Sequence, residues 1–145
     1  MFRILKITIV SISLLFVKSL SFSNDNFFNE ALKFYENEKY DDARFLFERN
    51  IVYNPKDATS YLYLAKIYNH EKNQRKEEHN LETALLIEPD NEEAILMMMK
   101  ISVEKSNYDK VKNLSKIFSK VCKKLCDENK NIEESLKNID PKNES

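Results

Sequence analysis

Polar and apolar positions alternate along this chain with the three- and four-residue spacing of amphipathic helices. The spacing runs through residues 27–36 and returns in residues 40–53, 58–69 and 74–87. Turn signals separate these segments, with Asn37-Glu38-Lys39 after the first, Pro55 after the second and Pro89 after the fourth. The pattern predicts consecutive helices joined by short turns, and no sheet.

The chain contains no glycine, which changes what its turns and sites can be. We expect Asn37 to adopt the left-handed backbone conformation in the first turn, because Asn tolerates that region. Asp57 is expected to cap the third helix through its side chain. Phosphate-binding loops, dinucleotide-binding motifs and nucleophile elbows depend on glycine, so the usual signatures of those enzyme classes are missing.

An internal repeat organises the chain, and the interval from Pro55 to Pro89 is its period. The second copy contains Tyr61, Leu64, Ala65, Tyr68, Ala84 and Pro89, and the first contains Phe27, Ala31, Phe34, Ala43, Phe47 and Pro55. This arrangement resembles the tetratricopeptide repeat, and the chain resembles small exported bacterial members of that family. The resemblance implies an all-α, right-handed solenoid of about three helix pairs plus a C-terminal capping helix.

A third copy is weaker, and both earlier copies depart from the family pattern in places. Ile95, Met98 and Met99 match it, whereas Ser102, Ser115 and Lys123 do not. Asn50 stands where the family has a small apolar residue, Glu30 where it has Leu, and Glu77 where it has Ala. We predict repeats at 24–57, 58–91 and 92–125 within a domain spanning 24–139. A helix at 127–139, with Ile132, Leu136 and Ile139 on one face, would cap the array, and residues 140–145 would be disordered.

The first 23 residues have the features of a secretory signal peptide. Arg3 and Lys6 precede an apolar run from Ile7 to Val17, and Ser21-Phe22-Ser23 supplies small residues at the cleavage positions. Cleavage after Ser23 predicts a periplasmic or otherwise extracytoplasmic protein. An uncleaved N-terminal membrane anchor and a buried helix are the alternatives.

Export places the two cysteines, Cys122 and Cys126, in an oxidising compartment. They flank the predicted turn before the last helix, and a disulfide that pins the capping helix is the favoured reading. Free buried thiols, a redox-active or intermolecular pair and half of a zinc site are the alternatives. His70 and His79 are nine apart in sequence and do not complete a zinc site, so we expect both on the surface and no metal site or cofactor.

The family resemblance implies that the first helices line a concave groove that binds a protein or peptide. Counting along the repeats places three aligned rows there, formed by Phe28, Leu62 and Leu96, by Leu32, Lys66 and Lys100, and by Tyr35, Asn69 and Val103. Such a surface suits a peptide with apolar anchors and an acidic group. The alternative is that these are packing residues and ordinary surface lysines.

The sequence favours a non-catalytic interaction or assembly scaffold in the cell envelope. Removal of residues 1–23 leaves 20 basic and 24 acidic residues, a net charge of −4 that disfavours nucleic-acid binding. No acid-base, nucleophile or metal set can be assembled for an enzyme or a small-molecule substrate. A thiol-disulfide accessory factor using Cys122 and Cys126 is the alternative function. The lysine stripe Lys112, Lys116 and Lys120 allows peripheral contact with a membrane or an envelope complex.

Overall fold

The computed structural model describes the backbone of residues 25–139 and the side chains of residues 27–134. In this range it contains seven helices and no strand: α1 Asp25–Glu36, α2 Tyr40–Tyr53, α3 Ala58–His70, α4 Gln74–Ile87, α5 Glu92–Glu104, α6 Tyr108–Val121 and α7 Cys126–Ile139. The predicted signal segment (1–23) and tail (140–145) lie outside the described residues. Over residues 25–139, no helix has the length and apolar character needed to cross a membrane.

The helices stack in chain order, so the predicted all-α solenoid is confirmed. Each helix packs mainly against the next, and α7 packs against α5 as well as α6. Helix α3 begins at Ala58, α5 at Glu92 and α7 at Cys126, so the three starts are separated by one repeat period each. Helix α7 therefore occupies the place of the first helix of a further repeat.

Three apolar clusters join successive groups of helices and hold the array together. The first is built from α1, α2 and α3 around Phe47, and the second from α3, α4 and α5 around Leu81. The third is built from α5, α6 and α7 around Phe118, with Ile132 of α7 covering it. Because each cluster shares a helix with the next, stability in this fold depends on contacts between neighbours.

The turns inside the helix pairs use a left-handed residue without glycine. Glu38, Lys72 and Ser106, which hold the same position in successive repeats, have φ values of 58°, 57° and 55°. In each turn, the N–H of the following residue donates to a carbonyl in the last turn of the helix, as Lys39 does to Phe34 at 2.9 Å. The prediction of Asn37 was wrong by one position, because the Asn37 side chain instead donates to the carbonyl of Lys33 at 2.7 Å.

The junction between the first two repeats contains a buried polar network around Asn50. Asn50 Nδ2 donates to Asp57 Oδ2 at 2.7 Å and to Ser60 Oγ at 2.9 Å, and Ser60 Oγ donates to Asp57 Oδ2 at 2.6 Å. Asp57 holds the N-cap position of α3, as predicted, but its side chain makes no hydrogen bond to the helix backbone. The carboxylate is used to link α2 to α3.

In the third repeat, serines stand at two positions where the earlier repeats have large apolar residues. Both serine hydroxyls are hydrogen-bonded. Ser102 Oγ donates to the carbonyl of Met98 at 2.7 Å, and Ser115 Oγ donates to Glu133 of α7 at 2.6 Å. Glu92 at the start of α5 accepts from the backbone N–H groups of Lys124 and Leu125 at 3.0 and 2.9 Å. These bonds attach α7 and the turn before it to the repeat.

The two cysteines lie on either side of that turn. Cys122 follows the last residue of α6 and Cys126 is the first residue of α7, with their Cα atoms 5.3 Å apart and their Sγ atoms at bonding distance. Both side chains are half-buried beside the third apolar cluster.

Candidate functional site

The residues predicted to line a groove divide into surface and core residues. On α1, Phe28, Leu32 and Tyr35 are half-buried and share one helix face at i, i+4 and i+7 spacing. On the later first helices, Lys66 is half-buried and Asn69 and Lys100 are exposed. These side chains can be reached by a partner to different extents.

Leu62 and Leu96 are core residues in this structure. Leu62 is 5% exposed and packs in the second apolar cluster with Leu81, and Leu96 is 6% exposed and packs in the third. The predicted apolar row along all three repeats is therefore not a surface row. Its second and third positions hold the helices together.

A half-buried aromatic cluster provides the apolar surface instead. The ring of Tyr63 on α3 lies 4.9 Å from Tyr35 and 6.2 Å from Phe28, both nearly edge-on, and stacks on buried Phe47 at 5.1 Å. Phe28 also meets Phe47 edge-on at 5.7 Å. Because Phe47 is fully buried, it holds Phe28 and Tyr63 in fixed positions, and Tyr35 is held through its contact with Tyr63.

Lys66 and Glu93 complete this surface. Lys66 Nζ lies 2.8 Å from Glu93 Oε1 and 4.6 Å from the centre of the Tyr63 ring. The Lys66 side chain is 19% exposed and that of Glu93 is 47% exposed. We name the surface formed by Phe28, Leu32, Tyr35, Tyr63, Lys66 and Glu93 the first-helix face, since α1, α3 and α5 supply it.

Tyr35 ionises less readily on the first-helix face. Burial raises the pKa of the Tyr35 hydroxyl, and the neighbouring Tyr40, Tyr63 and Glu93 raise that pKa further, with Glu93 contributing least. Lys66 links the charge on α5 to the rings, because it contacts both Glu93 and Tyr63.

Asn69, at the edge of this surface, has a structural role. Its Nδ2 donates to Oε1 of Glu77 at 3.0 Å. The Glu77 side chain is buried, and burial raises its pKa, whereas the bond from Asn69 lowers it and the charges of Glu104 and Glu78 raise it. The family has a small apolar residue at this position. Glu77 is accommodated there because it pairs with Asn69.

Sequence reasoning missed Tyr63 and Glu93. The repeat register assigned the groove row to Leu62, and a helix turns by about 100° between adjacent residues, so the neighbouring Tyr63 faces a different direction. The signal available in the sequence was the aromatic residue beside an apolar one on a first helix. The pairing of Glu93 with Lys66 joins two helices and has no local signal.

A second set of exposed apolar side chains lies on the second helices. Phe45 and Val52 on α2 are 63% and 76% exposed, Leu86 on α4 is 84% exposed, and Ile117 on α6 is 45% exposed. Val52 and Leu86 are separated by one repeat period and hold equivalent positions. Unlike the rings of the first-helix face, these side chains do not form a packed aromatic cluster in the described residues.

The remaining sequence candidates do not assemble a chemical site. The ring of His70 lies 4.3 Å from that of Tyr40, and His79 is exposed on α4. Among the described residues, no three metal-ligating side chains come together. Lys116 and Lys120 are exposed and Lys112 is half-buried, as expected for the solvent-facing side of α6.

Comparisons with known proteins give the fold. No protein-family model matches the chain, and no curated protein matches it. Among solved structures, it is similar to the TPR domain of Arabidopsis OM64, with 17% identity over 81% of this chain and 96% of that one and a TM-score of 0.69.

Two further solved structures contain bound peptides. The Yersinia enterocolitica type III secretion chaperone SycD, in complex with a peptide of the translocator YopD, is 14% identical over 83% of this chain and 94% of its own, with a TM-score of 0.69. The first TPR of Spaghetti (RPAP3), bound to the HSP90 peptide SRMEEVD, is 14% identical over 78% of this chain and 94% of its own, with a TM-score of 0.66. The chain therefore has the fold of a tetratricopeptide-repeat domain.

Proposed function

We propose that this protein is a non-catalytic interaction scaffold that binds a segment of another protein on the first-helix face. The observation that carries the proposal is the packed cluster of Phe28, Tyr35 and Tyr63, whose rings remain partly exposed while buried Phe47 packs against Phe28 and Tyr63, and Tyr63 packs against Tyr35. Rigid aromatic side chains lose little conformational entropy on binding and dominate the energy of many interfaces. Solved TPR domains with bound peptides support the same use of this fold.

The partner is a protein or peptide, and the binding surface is smaller than the sequence indicated. Phe28, Leu32, Tyr35 and Lys66 stay in the proposed site, together with Tyr63 and Glu93. Leu62 and Leu96 contribute through the core. Asn69 and Lys100 lie at the edge, where Asn69 is engaged with Glu77.

The test is a pull-down with the tagged full chain from the cell envelope, read by mass spectrometry. The groove variant is Phe28→Ser with Tyr63→Ser, and the matched control is Leu86→Ser, which removes an apolar side chain that is 84% exposed on a second helix. We expect a protein that is captured by the wild type and the control and lost with the groove variant. Equal capture by all three, with circular dichroism showing folded chains, would contradict the proposed surface.

We propose further that the protein works outside the cytoplasm, in the cell envelope. The basic start, apolar run and small residues of positions 1–23 support export. N-terminal sequencing of the protein recovered from the envelope should begin at Asn24. A first residue of Met1 in that fraction would favour the uncleaved anchor, and recovery from the cytoplasm alone would contradict export.

In that compartment we propose that Cys122 and Cys126 form a disulfide that holds the start of α7 against α6. The support is their position on either side of a short turn with Cα atoms 5.3 Å apart. Alkylation before and after reduction, read by intact mass, tests the bridge. Thiol exchange with a client has no support beyond the presence of the pair.

A further inference from the structure

Of the ion pair on the first-helix face, the carboxylate is the more exposed member. Lys66 is 19% exposed, and its ammonium group is held between Glu93 Oε1 at 2.8 Å and the Tyr63 ring at 4.6 Å. Glu93 is 47% exposed, and its second carboxylate oxygen makes no hydrogen bond or ion pair to the described residues. The Lys66 side chain is therefore largely buried and its charge is balanced by Glu93, whereas the second oxygen of the Glu93 carboxylate is available to a partner.

This arrangement reverses the expectation that Lys66 would bind an acidic group. A carboxylate from the partner would have to displace Glu93 from Lys66 or lie beside it, and two like charges at that distance repel each other. A cation would meet the open oxygen of Glu93 without displacing Lys66, whose ammonium group already lies over the Tyr63 ring. The geometry therefore favours a basic group at this point.

We propose, building on the proposed function, that the first-helix face selects a protein segment in which a lysine or arginine lies next to an apolar anchor. The anchor packs on Phe28, Tyr35 and Tyr63, and the cation pairs with Glu93. Contact with both requires the two groups of the partner to be neighbours, because Glu93 and Tyr63 share Lys66 as a common contact.

Other charged groups near Glu93 are engaged or distant. Glu92, beside Glu93, accepts from the backbone N–H groups of Leu125 and Lys124, which lower its pKa, so its carboxylate is already bonded to the turn before α7. Lys100 lies two helical turns further along α5, about 10 Å along the helix axis. On α7, Lys130 and Asp127 are paired at 3.0 Å and largely cancel.

The test uses random twelve-residue peptides displayed on phage and selected on the immobilised full chain. We expect the enriched peptides to combine aromatic or aliphatic residues with an adjacent lysine or arginine. The strongest peptide is then synthesised in two forms, as selected and with its basic residue replaced by glutamate. Titration calorimetry compares both forms on the wild type and three variants.

The variants make opposite predictions, which a general loss of structure cannot produce. Glu93→Gln should weaken the basic peptide about three- to five-fold, the upper part of the range for an exposed ion pair, and Lys66→Gln should strengthen it by a similar factor because Glu93 is released. Glu82→Gln on α4, whose side chain is 58% exposed, removes the same charge elsewhere and should leave the affinity unchanged.

The outcomes separate this inference from the proposed function. Enriched peptides without a basic residue, or with acidic residues, or an unchanged affinity in Glu93→Gln, would overturn the inference and leave the interaction surface standing. Equal enrichment on wild type and on the Phe28→Ser, Tyr63→Ser variant, or no enrichment, would overturn the proposed surface and this inference with it.

Discussion

Replacing Asn50 by alanine tests whether the buried network or the family pattern governs this position. The tetratricopeptide pattern favours a small apolar residue there, so substitution toward it would ordinarily be expected to stabilise the fold. In this protein Asn50 is 4% exposed and donates two hydrogen bonds, one to the Asp57 carboxylate and one to Ser60. The two lines of reasoning therefore predict opposite signs.

The structure indicates the size of the effect. A hydrogen bond to a charged group contributes about 1.5 to 3 kcal/mol and a neutral one about 1 kcal/mol. Ser60 still donates to Asp57 at 2.6 Å after the change, so the carboxylate keeps a partner and the loss lies near the lower end. Alanine regains about 0.5 kcal/mol through its higher helix propensity. The net destabilisation should be about 1.5 to 2 kcal/mol.

Thermal and urea unfolding, followed by circular dichroism, measure this change. For a domain of this size, a loss of about 1.5 kcal/mol lowers the melting temperature by roughly 6 °C. The double variant with Ser60→Ala should be less destabilised than the sum of the single variants, with a coupling of at least about 0.5 kcal/mol. A higher melting temperature for Asn50→Ala, or strict additivity, would refute the assignment of stability to the network.

Three further changes test other features of the fold. Burial raises the pKa of Glu77, so folding takes up protons and the wild type loses stability as pH rises through the folded-state pKa. Glu77→Gln should therefore be more stable than the wild type in urea unfolding at neutral pH, and this difference in stability should vanish near about pH 4. Ser106→Gly should raise the stability by about 1 kcal/mol by relieving a left-handed residue, whereas Lys112→Gly inside α6 should lower it by about as much. Ile132→Ala, at a position 8% exposed, should cost about 2 kcal/mol and speed amide exchange in α7 first, while exchange in α1–α4 changes little.

The repetitive part of the fold could be predicted from the sequence because it is local. The bounds of α2 agree with the predicted Tyr40–Tyr53, since apolar spacing and Pro55 both act within a few residues. The prediction for Asn37 was wrong because the left-handed conformation falls on the next residue, Glu38. The Asn37 side chain instead donates a hydrogen bond to the end of the helix. Asp57 holds the predicted cap position, but its carboxylate pairs with Asn50 of the preceding helix, a contact with no local signal.

The candidate site could be predicted only in part, because it depends on rotation and on contacts across helices. Leu62 and Tyr63 are neighbours in sequence, yet the first lies in the core and the second on the first-helix face. The repeat register gives the helix but not which of two apolar neighbours is turned outward. Lys66 and Glu93 are far apart in sequence, and their pairing becomes visible only when α3 and α5 are packed together.

These failures fall on the residues that would decide what the protein binds. Residues that recur at the repeat period, such as those beneath the helices, must satisfy the packing of any array of this kind and are shared by its repeats. Tyr63 packs on the first apolar cluster and Glu93 is exposed, but neither belongs to the repeating pattern that closes the core. A lysine at a groove position therefore carries no fixed meaning: we expect Lys66 to attract an acidic peptide if residue 93 is neutral, and we propose that Glu93 reverses that preference.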